Sequence, residues 1–491
     1  MRNNIQEKSK DISKEGFVKA IFGFSLSTWI NCIIEFVSTP IITYFFLPEE
    51  FGKISMFLVY VDLFLSFSYL GLDQTFTRFY NEPTGKNTKK SLLTICISGS
   101  TLSCILISTV VFVLRENLSL KVLNEYALAV PVCISLSVFA QCLLRYFRLT
   151  SRMQKNVTMF TVQSIVITWI KKISFIFVAF KAASAVPAII TITSCSIGVT
   201  LIFLLIRLKN DFSFKCDYSI SALKPLAFYS FPLILIEIIT NLNNRISQLV
   251  LNEFTDKASI GIYSNAVTIA SIIMVLQQGF AAYWTPFVYE NYKTGQKLIE
   301  KVHHIITFLM TSLGLGIIIM QFPIYKILVS EQYWASRGIF AFLLVSPICY
   351  TIAETLGLGV HIAKKTYWHA IICAINIVLN VSGCVILIPR IGIVGAAIAS
   401  AISAIVNMVL KTIIGERYYK CTSSYWRMIV SLVILLLAGT FNYCLQASMI
   451  KYIIFISLLF VEIIIYFKEV KTLFNLFTSI IFKLFKKKSA N

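Results

Sequence analysis

The stretch that decides the fold is VTMFTVQSIVITWIKKISFIFVAF, residues 157–180. It is continuous and apolar except for a few polar positions, among which Lys171 and Lys172 lie near its middle. An α-helix needs about 20 mostly apolar residues to cross a bilayer, whereas the strands of a membrane β-barrel alternate in polarity over about 10 residues. The stretch therefore predicts a transmembrane helix that carries two adjacent cations into the bilayer.

The composition of the whole chain favours a membrane protein. Hydrophobic residues form 57% of the 491 residues and charged residues only 14%, against about 25% charged residues in a soluble domain. Too few charged side chains remain to cover a water-facing surface, which excludes a soluble globular protein and a disordered protein. The net charge of +21 does not indicate a nucleic-acid partner, because membrane proteins concentrate basic residues in their cytoplasmic loops.

Comparable apolar runs recur along the chain and predict an all-α integral membrane protein with about 14 transmembrane helices. Pro40 interrupts the first run, and we expect it to kink or break that helix. All connecting segments are short, so the function must lie within the helical bundle. The predicted spans cover residues 17–46, 51–73, 91–114, 122–144, 157–180, 185–206, 225–250, 258–285, 302–325, 337–360, 367–388, 392–413, 428–445 and 451–467.

Basic residues alternate in abundance from one loop to the next. Placing the N-terminus in the cytoplasm puts most of the 44 lysines and arginines on the cytoplasmic side, as the positive-inside rule requires. Because the number of spans is even, both termini are then cytoplasmic.

The spans group into two six-helix lobes and two additional helices. GKIS at 52–55 recurs as GIYS at 261–264, which favours a parallel repeat with substrate held between the lobes, although coincidence is a serious rival. We expect the tail to lie on the anionic inner leaflet or to serve as a simple basic anchor. The predicted segments are a cytoplasmic N-terminal segment (1–16), an N-lobe (17–210), a cytoplasmic linker (211–224), a C-lobe (225–414), accessory spans 13 and 14 (425–468) and a basic amphipathic cytoplasmic tail (469–491).

Polar residues inside the spans form the candidate binding site. Ionisable side chains near the middle of a membrane are costly, so they usually face a water-filled cavity or an ionic partner. Adjacent lysines point about 100° apart on a helix, and at least one should face the bundle interior, where it would meet an anionic headgroup. The alternative is that the lysines form structural ion pairs and that Arg245 reaches the outer interface. The candidate residues are Lys171, Lys172, Arg245, Arg78, Asn241 and Asn244.

Three acidic residues in the spans, Glu35, Asp62 and Glu237, have two interpretations. They either couple transport to a proton or another cation, or they neutralise the lysines. The histidines and cysteines show no metal-ligand spacing, so we expect no metal site, no catalytic residue and no bound cofactor.

Several motifs carry a resemblance to a known family. The chain resembles bacterial polysaccharide (O-antigen or capsule repeat-unit) flippases, the Wzx-type members of the multidrug/oligosaccharidyl-lipid/polysaccharide exporter superfamily. One departure concerns span 7, where the family often has an Asp–Arg pair and this chain has Asn244–Arg245. The matching pieces are Pro40, Leu47–Pro48–Glu49–Glu50–Phe51–Gly52, Gly71–Leu72–Asp73, Arg78–Phe79–Tyr80, Gly261–Ile262–Tyr263–Ser264 and Trp284–Thr285–Pro286–Phe287.

The resemblance implies a flippase of the bacterial cytoplasmic membrane. It would move an undecaprenyl-pyrophosphate-linked oligosaccharide from the inner to the outer leaflet by alternating access, and proton or sodium coupling is suspected. The deep cations Lys171, Lys172 and Arg245 would bind the pyrophosphate. Membrane lipids, a polysaccharide polymerase and glycosyltransferases would be the partners.

Three rival functions follow from the same features. A lipid II flippase has a similar fold and charge pattern and stays open. A drug or cation antiporter of the same superfamily would prefer an acidic cavity, which the two lysines disfavour. A membrane-embedded polymerase or glycosyltransferase would need a sizeable outside loop, so we do not expect an enzyme.

Overall fold

A computed structural model describes residues 29–181, 183–213, 215–293, 295–363, 365, 367–422, 424–445 and 449–475. The predicted N-terminal segment 1–16, the beginning of the first span and the part of the predicted tail beyond residue 475 lie outside the described residues.

The described part of the chain contains α-helices, one short 3-10 helix and no strand. The α-helices are α1 Trp29–Phe45, α2 Pro48–Ser68, α3 Leu72–Phe79, α4 Lys89–Val113, α5 Arg115–Leu123, α6 Ala129–Met153, α7 Val157–Lys181, α8 Ala185–Asp211, α9 Ile220–Phe254, α10 Lys257–Ala270, α11 Ile272–Asn291, α12 Gln296–Ile319, α13 Gln321–Leu328, α14 Ser336–Leu356, α15 Gly359–Ile362, α16 Tyr367–Ile391, α17 Ile393–Tyr418, α18 Trp426–Cys444, α19 Ile450–Ile465 and α20 Phe467–Asn475.

These helices confirm the predicted fold class of an all-α integral membrane protein with about 14 spans. Within the described residues, 12 helical segments are long and apolar enough to cross a membrane. A further candidate is the pair α19 and α20, whose axes bend by 81° at their junction. The shorter apolar helix α1 corresponds to the described part of the first predicted span. In order and position, these elements match the predicted apolar runs.

Pro40 does not interrupt α1, contrary to our expectation. The helix continues through Pro40 and ends at Phe45. The hydroxyls of Ser38 and Thr39 donate to the Glu35 carbonyl oxygen at 3.0 and 2.7 Å. Prolines are tolerated in membrane helices where surrounding groups satisfy the backbone.

Two residues in the left-handed backbone conformation break the second predicted span and separate α2 from α3. Leu70 and Gly71 have φ angles of 49° and 65°, which is costly for a leucine and freely accessible to a glycine. A Cβ atom on Gly71 would lie 2.7 Å from the Ser230 carbonyl oxygen of α9. The break therefore lets α3 pack on α9 and brings Asp73, at the start of α3, into the interior of the bundle.

The contacts divide the chain into two compact units. The first comprises the described residues up to Ser264 together with Leu328–Gln332, and the second comprises Asn265–Ile327 and the described residues from Tyr333 onward. The lobe boundaries expected from the sequence stay a prediction.

In the second unit, α14 is the most buried of the candidate spans. It packs against α17, whose buried face is rich in alanine and permits close helix contact. Two polar contacts tie the last helices to α18: Ser431 donates to Glu462 Oε1 at 2.8 Å, and Arg427 pairs with Glu469 at 3.0 Å. These contacts give Glu462 and Glu469 partners within the helical bundle.

Within the first unit, α2 and the beginning of α10 meet backbone to backbone at Gly52 and Gly261. A Cβ atom on Gly52 would overlap the Lys257 carbonyl oxygen and lie 3.0 Å from the Gly261 nitrogen. A Cβ atom on Gly261 would overlap the Pro48 carbonyl oxygen and lie 3.1 Å from the Gly52 nitrogen. The two glycines therefore make reciprocal contacts, and they are also the equivalent positions of the predicted internal repeat.

We expect Gly52→Ala and Gly261→Ala each to lower the midpoint of thermal unfolding. The added methyl group would separate two helices that touch through their backbones, and overpacking of this kind costs about 1–3 kcal/mol. The matched control is Gly198→Ala in α8, because a Cβ atom there meets nothing within 4 Å. Alanine is a better helix former than glycine, so the control should unfold at the wild-type temperature or above it. Equal midpoints for all three variants would contradict the proposed close contact.

Candidate functional site

A polar cavity of about 410 Å³ lies inside the first unit. Seven ionisable side chains and several neutral polar ones line it, although the helices that surround it are predominantly apolar. The ionisable residues are Glu35, Asp62, Arg145, Arg148, Lys171, Lys172 and Glu237, and the neutral polar ones are Ser66, Tyr69, Gln141, Thr168 and Asn241.

The polar residues that line the cavity recur at helical spacing along α6 and α9. On α6, Gln141, Arg145 and Arg148 follow one another at spacings of four and three residues, so they share one face. On α9, Glu237 and Asn241 are likewise one turn apart. Residues from α1, α2 and α7 complete the wall.

Arg145 is the most constrained cation of the cavity. Its Nε and Nη2 atoms donate to Asp73 Oδ2 at 2.8 and 2.5 Å. The Nη2 atom also lies 3.1 Å from Glu237 Oε1. The guanidinium carbon is 4.4 Å from the centroid of the Tyr69 ring, which adds a cation–π contact. Two carboxylates and an aromatic ring from three other helical segments thus fix the position of this side chain.

Arg245 forms the second ion pair of the site. Its Nη2 atom lies 2.5 Å from Asp62 Oδ2, so that α9 is joined to α2. Asp62 lines the cavity, whereas Arg245 does not. Asn244 occupies the place where the related family often has an acidic residue, and here α2 supplies the acid that pairs with the arginine.

The other cations of the cavity have no comparable anionic partner. Lys171 donates to Gln141 Oε1 at 3.1 Å. In the part of the chain that the structure describes, the ion pairs of this site reach Arg145 and Arg245 but not Arg148, Lys171 or Lys172. The cavity therefore offers a surplus of positive charge, and an anion placed there would interact strongly because the surroundings are apolar.

The structure places most of the predicted site residues together. Lys171, Lys172 and Asn241 line the cavity with the three predicted acidic residues, and Arg245 contacts it through Asp62. The deep lysines therefore face a common space even though they are adjacent on α7.

Two predicted residues lie away from the cavity. Arg78 pairs with Glu82 at 3.2 Å, and its side chain is half exposed. It follows Asp73 by five residues, which places it about 140° around α3, on the opposite side from the buried carboxylate. Asn244 is exposed because it lies about 100° from Arg245 around α9. Neither residue lines this cavity, and their role in binding stays a prediction.

Sequence analysis missed Arg145, Arg148 and Asp73. We assigned the two arginines to a cytoplasmic loop because the fourth apolar run ends at residue 144, whereas α6 continues to Met153. The helical spacing of Gln141, Arg145 and Arg148 was the available signal. Asp73 was recognised only as part of the Gly71–Leu72–Asp73 motif, because its contact with Arg145 depends on the break before α3.

Comparison with known proteins identifies the family. Residues 17–291 match the family described as polysaccharide biosynthesis protein. The chain belongs to this family.

One curated relative is a probable low-salt glycan biosynthesis flippase, Agl15, of Haloferax volcanii. It is 28% identical over 166 residues, which are 33% of this chain and 35% of the relative. The match thus spans about a third of the length of that relative.

Solved structures share the fold. The lipid II flippase MurJ in an inward closed conformation has a TM-score of 0.67 at 17% identity, covering 91% of this chain and 99% of that one. An inward-facing multidrug resistance MATE family transporter of the MOP superfamily has a TM-score of 0.57 at 12% identity, covering 79% and 94%. The family match confirms the predicted relationship to polysaccharide biosynthesis proteins, and these structures show that the chain shares the fold of the MurJ and MATE proteins. The bacterial source stays a prediction.

Arg145 and Arg148 provide a matched pair for testing which cation is structural. We expect Arg145→Gln to lower the midpoint of thermal unfolding strongly, because it leaves the fully buried Asp73 without its cation, and breaking a buried pair in this way costs about 3–5 kcal/mol. Arg148→Gln removes the same charge one turn along α6 but breaks no ion pair, so its midpoint should stay near that of the wild type. Equal destabilisation by the two substitutions would show that Arg148 is also structural.

Proposed function

We propose that this protein is a flippase for a lipid-linked oligosaccharide. It translocates an undecaprenyl-pyrophosphate-linked repeat unit across the cytoplasmic membrane by alternating access, for surface polysaccharide biosynthesis. The observation that carries the proposal is the cation-rich cavity inside the helical bundle of a polysaccharide biosynthesis family member.

The charge of the cavity suits a pyrophosphate. Arg148, Lys171 and Lys172 present positive charge toward a common space and make no ion pair with the carboxylates around them. A guanidinium can bind phosphate oxygens through two parallel hydrogen bonds, whereas an ammonium acts as a compact point charge. One arginine and two lysines can therefore replace the water that hydrates the headgroup in solution.

The size and walls of the cavity suit the polar part of such a lipid. A volume of about 410 Å³ lies within the range of small-molecule sites, about 300–1,000 Å³. Gln141, Thr168 and Asn241 can donate hydrogen bonds to sugar hydroxyls or accept them. The prenyl chain does not need this space because it is soluble in the bilayer.

The distribution of basic residues supports an orientation in the membrane. It favours both termini in the cytoplasm, and a lipid-linked precursor made there would enter the cavity from that side. Glycosyltransferases would then supply the substrate, and a polysaccharide polymerase would consume it.

Two alternatives use the same fold. A lipid II flippase would need the same affinity for a prenyl pyrophosphate, so the sugar is what distinguishes it. An antiporter for organic cations is disfavoured, because the surplus charge of the cavity would repel its substrate.

Ion coupling belongs to the proposal as well. Asp62 and Glu237 are engaged with arginines, whereas Glu35 lies on the cavity wall outside those ion pairs. Transport in proteoliposomes should respond to a pH or sodium gradient if any of these three acids carries the coupling. Transport that ignores both gradients would remove this part of the proposal.

The combined substitution Arg148→Gln, Lys171→Gln and Lys172→Gln should abolish export of the surface polysaccharide. Each hydrogen bond to a charged group contributes about 1.5–3 kcal/mol, so losing one contact weakens headgroup binding about tenfold or more. The measurement is surface polysaccharide in a strain that lacks the native gene, with the amount of membrane protein equalised by immunoblot. The control combines Arg152→Gln and Lys209→Gln, which remove exposed charges from α6 and α8. Normal export from the triple variant would refute the pyrophosphate site.

The choice of substrate needs its own measurement. Purified protein in proteoliposomes should flip a lipid-linked repeat unit at least about tenfold faster than lipid II, a difference of about 1.4 kcal/mol between the two transition states. The opposite preference would favour the lipid II alternative.

A further inference from the structure

We propose that Glu237 is an internal competitor of the substrate. It occupies Arg145 in the empty cavity, gives way when an anionic headgroup binds, and then takes up a proton. Asp73 is a positioning residue that keeps Arg145 in place throughout. The inference rests on the proposed function, because the competing ligand is the headgroup of the proposed substrate.

The two carboxylates hold Arg145 in different ways. Asp73 is fully buried and accepts two hydrogen bonds, from Nε and Nη2 of the arginine, on one oxygen. Glu237 reaches only the Nη2 atom, at 3.1 Å, and its side chain is partly exposed on the cavity wall. A ligand in the cavity can therefore replace Glu237, whereas it has no access to Asp73.

The Arg145 guanidinium pairs with the carboxylates of both Asp73 and Glu237, so these three groups together carry a net negative charge. Like charges that share a site disfavour each other's ionised form, and the more accessible carboxylate yields first. A phosphate oxygen that binds Arg145 would bring a third anion, which Glu237 can avoid by leaving and becoming neutral.

The remaining charges around the cavity do not provide Glu237 with an equivalent cation. The Tyr69 ring lies against Arg145, and Arg245 is already paired with Asp62. Arg148 on α6 and the lysines of α7 face the space that the headgroup would fill, and Glu35 on α1 adds a further negative charge. A displaced Glu237 is therefore most stable when it accepts a proton from water in the cavity.

An internal competitor gives affinity a defined dependence on pH. Above the pH at which the displaced Glu237 titrates, the carboxylate competes at full strength and headgroup affinity is lowest. As the pH falls, Glu237 becomes protonated, competition ends and affinity rises. In Glu237→Gln the competitor is neutral at every pH, so affinity should be high and should not follow this change. Weaker binding also helps release, because a headgroup held by every cation at once would leave slowly.

The test uses farnesyl pyrophosphate as the probe and the full-length purified protein in an uncharged detergent. Isothermal titration calorimetry across a pH series, in buffers of different ionisation enthalpy, reports both affinity and proton uptake. At the high end of the series Glu237→Gln should bind the probe about tenfold more tightly than the wild type. The difference should shrink at the low end, and wild-type binding should take up about one proton more than the variant does. The probe's own protonation is common to both proteins and cancels in the comparison.

Two further variants separate competition from positioning. Asp73→Asn should weaken binding at every pH, because Arg145 loses its orientation, and Asp73→Glu should restore part of the affinity and keep the wild-type pH dependence. Glu82→Gln removes an exposed carboxylate that pairs with Arg78, and this variant should bind the probe as the wild type does.

The outcomes distinguish this inference from the proposed function. If Glu237→Gln and the wild type bind the probe equally at every pH, with equal proton uptake, the competitor role is overturned and the flippase function stands. If neither protein binds farnesyl pyrophosphate at all, the proposed pyrophosphate site fails.

Discussion

The ion pair between Arg145 and Asp73 is the contact on which the cavity depends. A carboxylate that no solvent reaches must have a cation beside it, because desolvation of an isolated charge is prohibitive in an apolar interior. Asp73 can reach Arg145 only because the chain breaks at Leu70 and Gly71 and begins a new helix there. The ion pair therefore holds three features together: the break in the second span, the polar face of α6 and the Tyr69 ring. The cavity lies beside them.

The role of Arg148, Lys171 and Lys172 follows from this arrangement. Arg145 pairs with two carboxylates, whereas the ion pairs of the described residues do not reach Arg148, one turn further along α6. Charged groups of this kind persist in a membrane only where water or a ligand can reach them. The cavity thus separates two tasks within one cluster. The pairs of Arg145 with Asp73 and of Arg245 with Asp62 hold helices together, and Arg148, the two lysines and the side of Arg145 that Glu237 covers can meet an anion.

The parts of this structure that depend on local sequence could be predicted. The spans followed from apolar runs, and the deep lysines were recognised because they interrupt the middle of one run. Arg145 and Arg148 were missed because composition alone places the end of a span at its first charge, whereas the backbone hydrogen bonds of α6 continue for two more turns. The partners Asp73 and Asp62 come from helices remote in sequence from the arginines they bind, and no local pattern encodes such pairing. The expected interruption at Pro40 was wrong because α1 stays helical through this residue, and prolines are better tolerated in membrane helices than in isolated ones.

The contact between Gly52 and Gly261 has the same form on both of its sides. Each glycine fits the backbone that precedes the other, so the two surfaces are self-complementary. Self-complementarity of this kind is the mark of an isologous interface, in which one patch meets its own copy across a twofold axis.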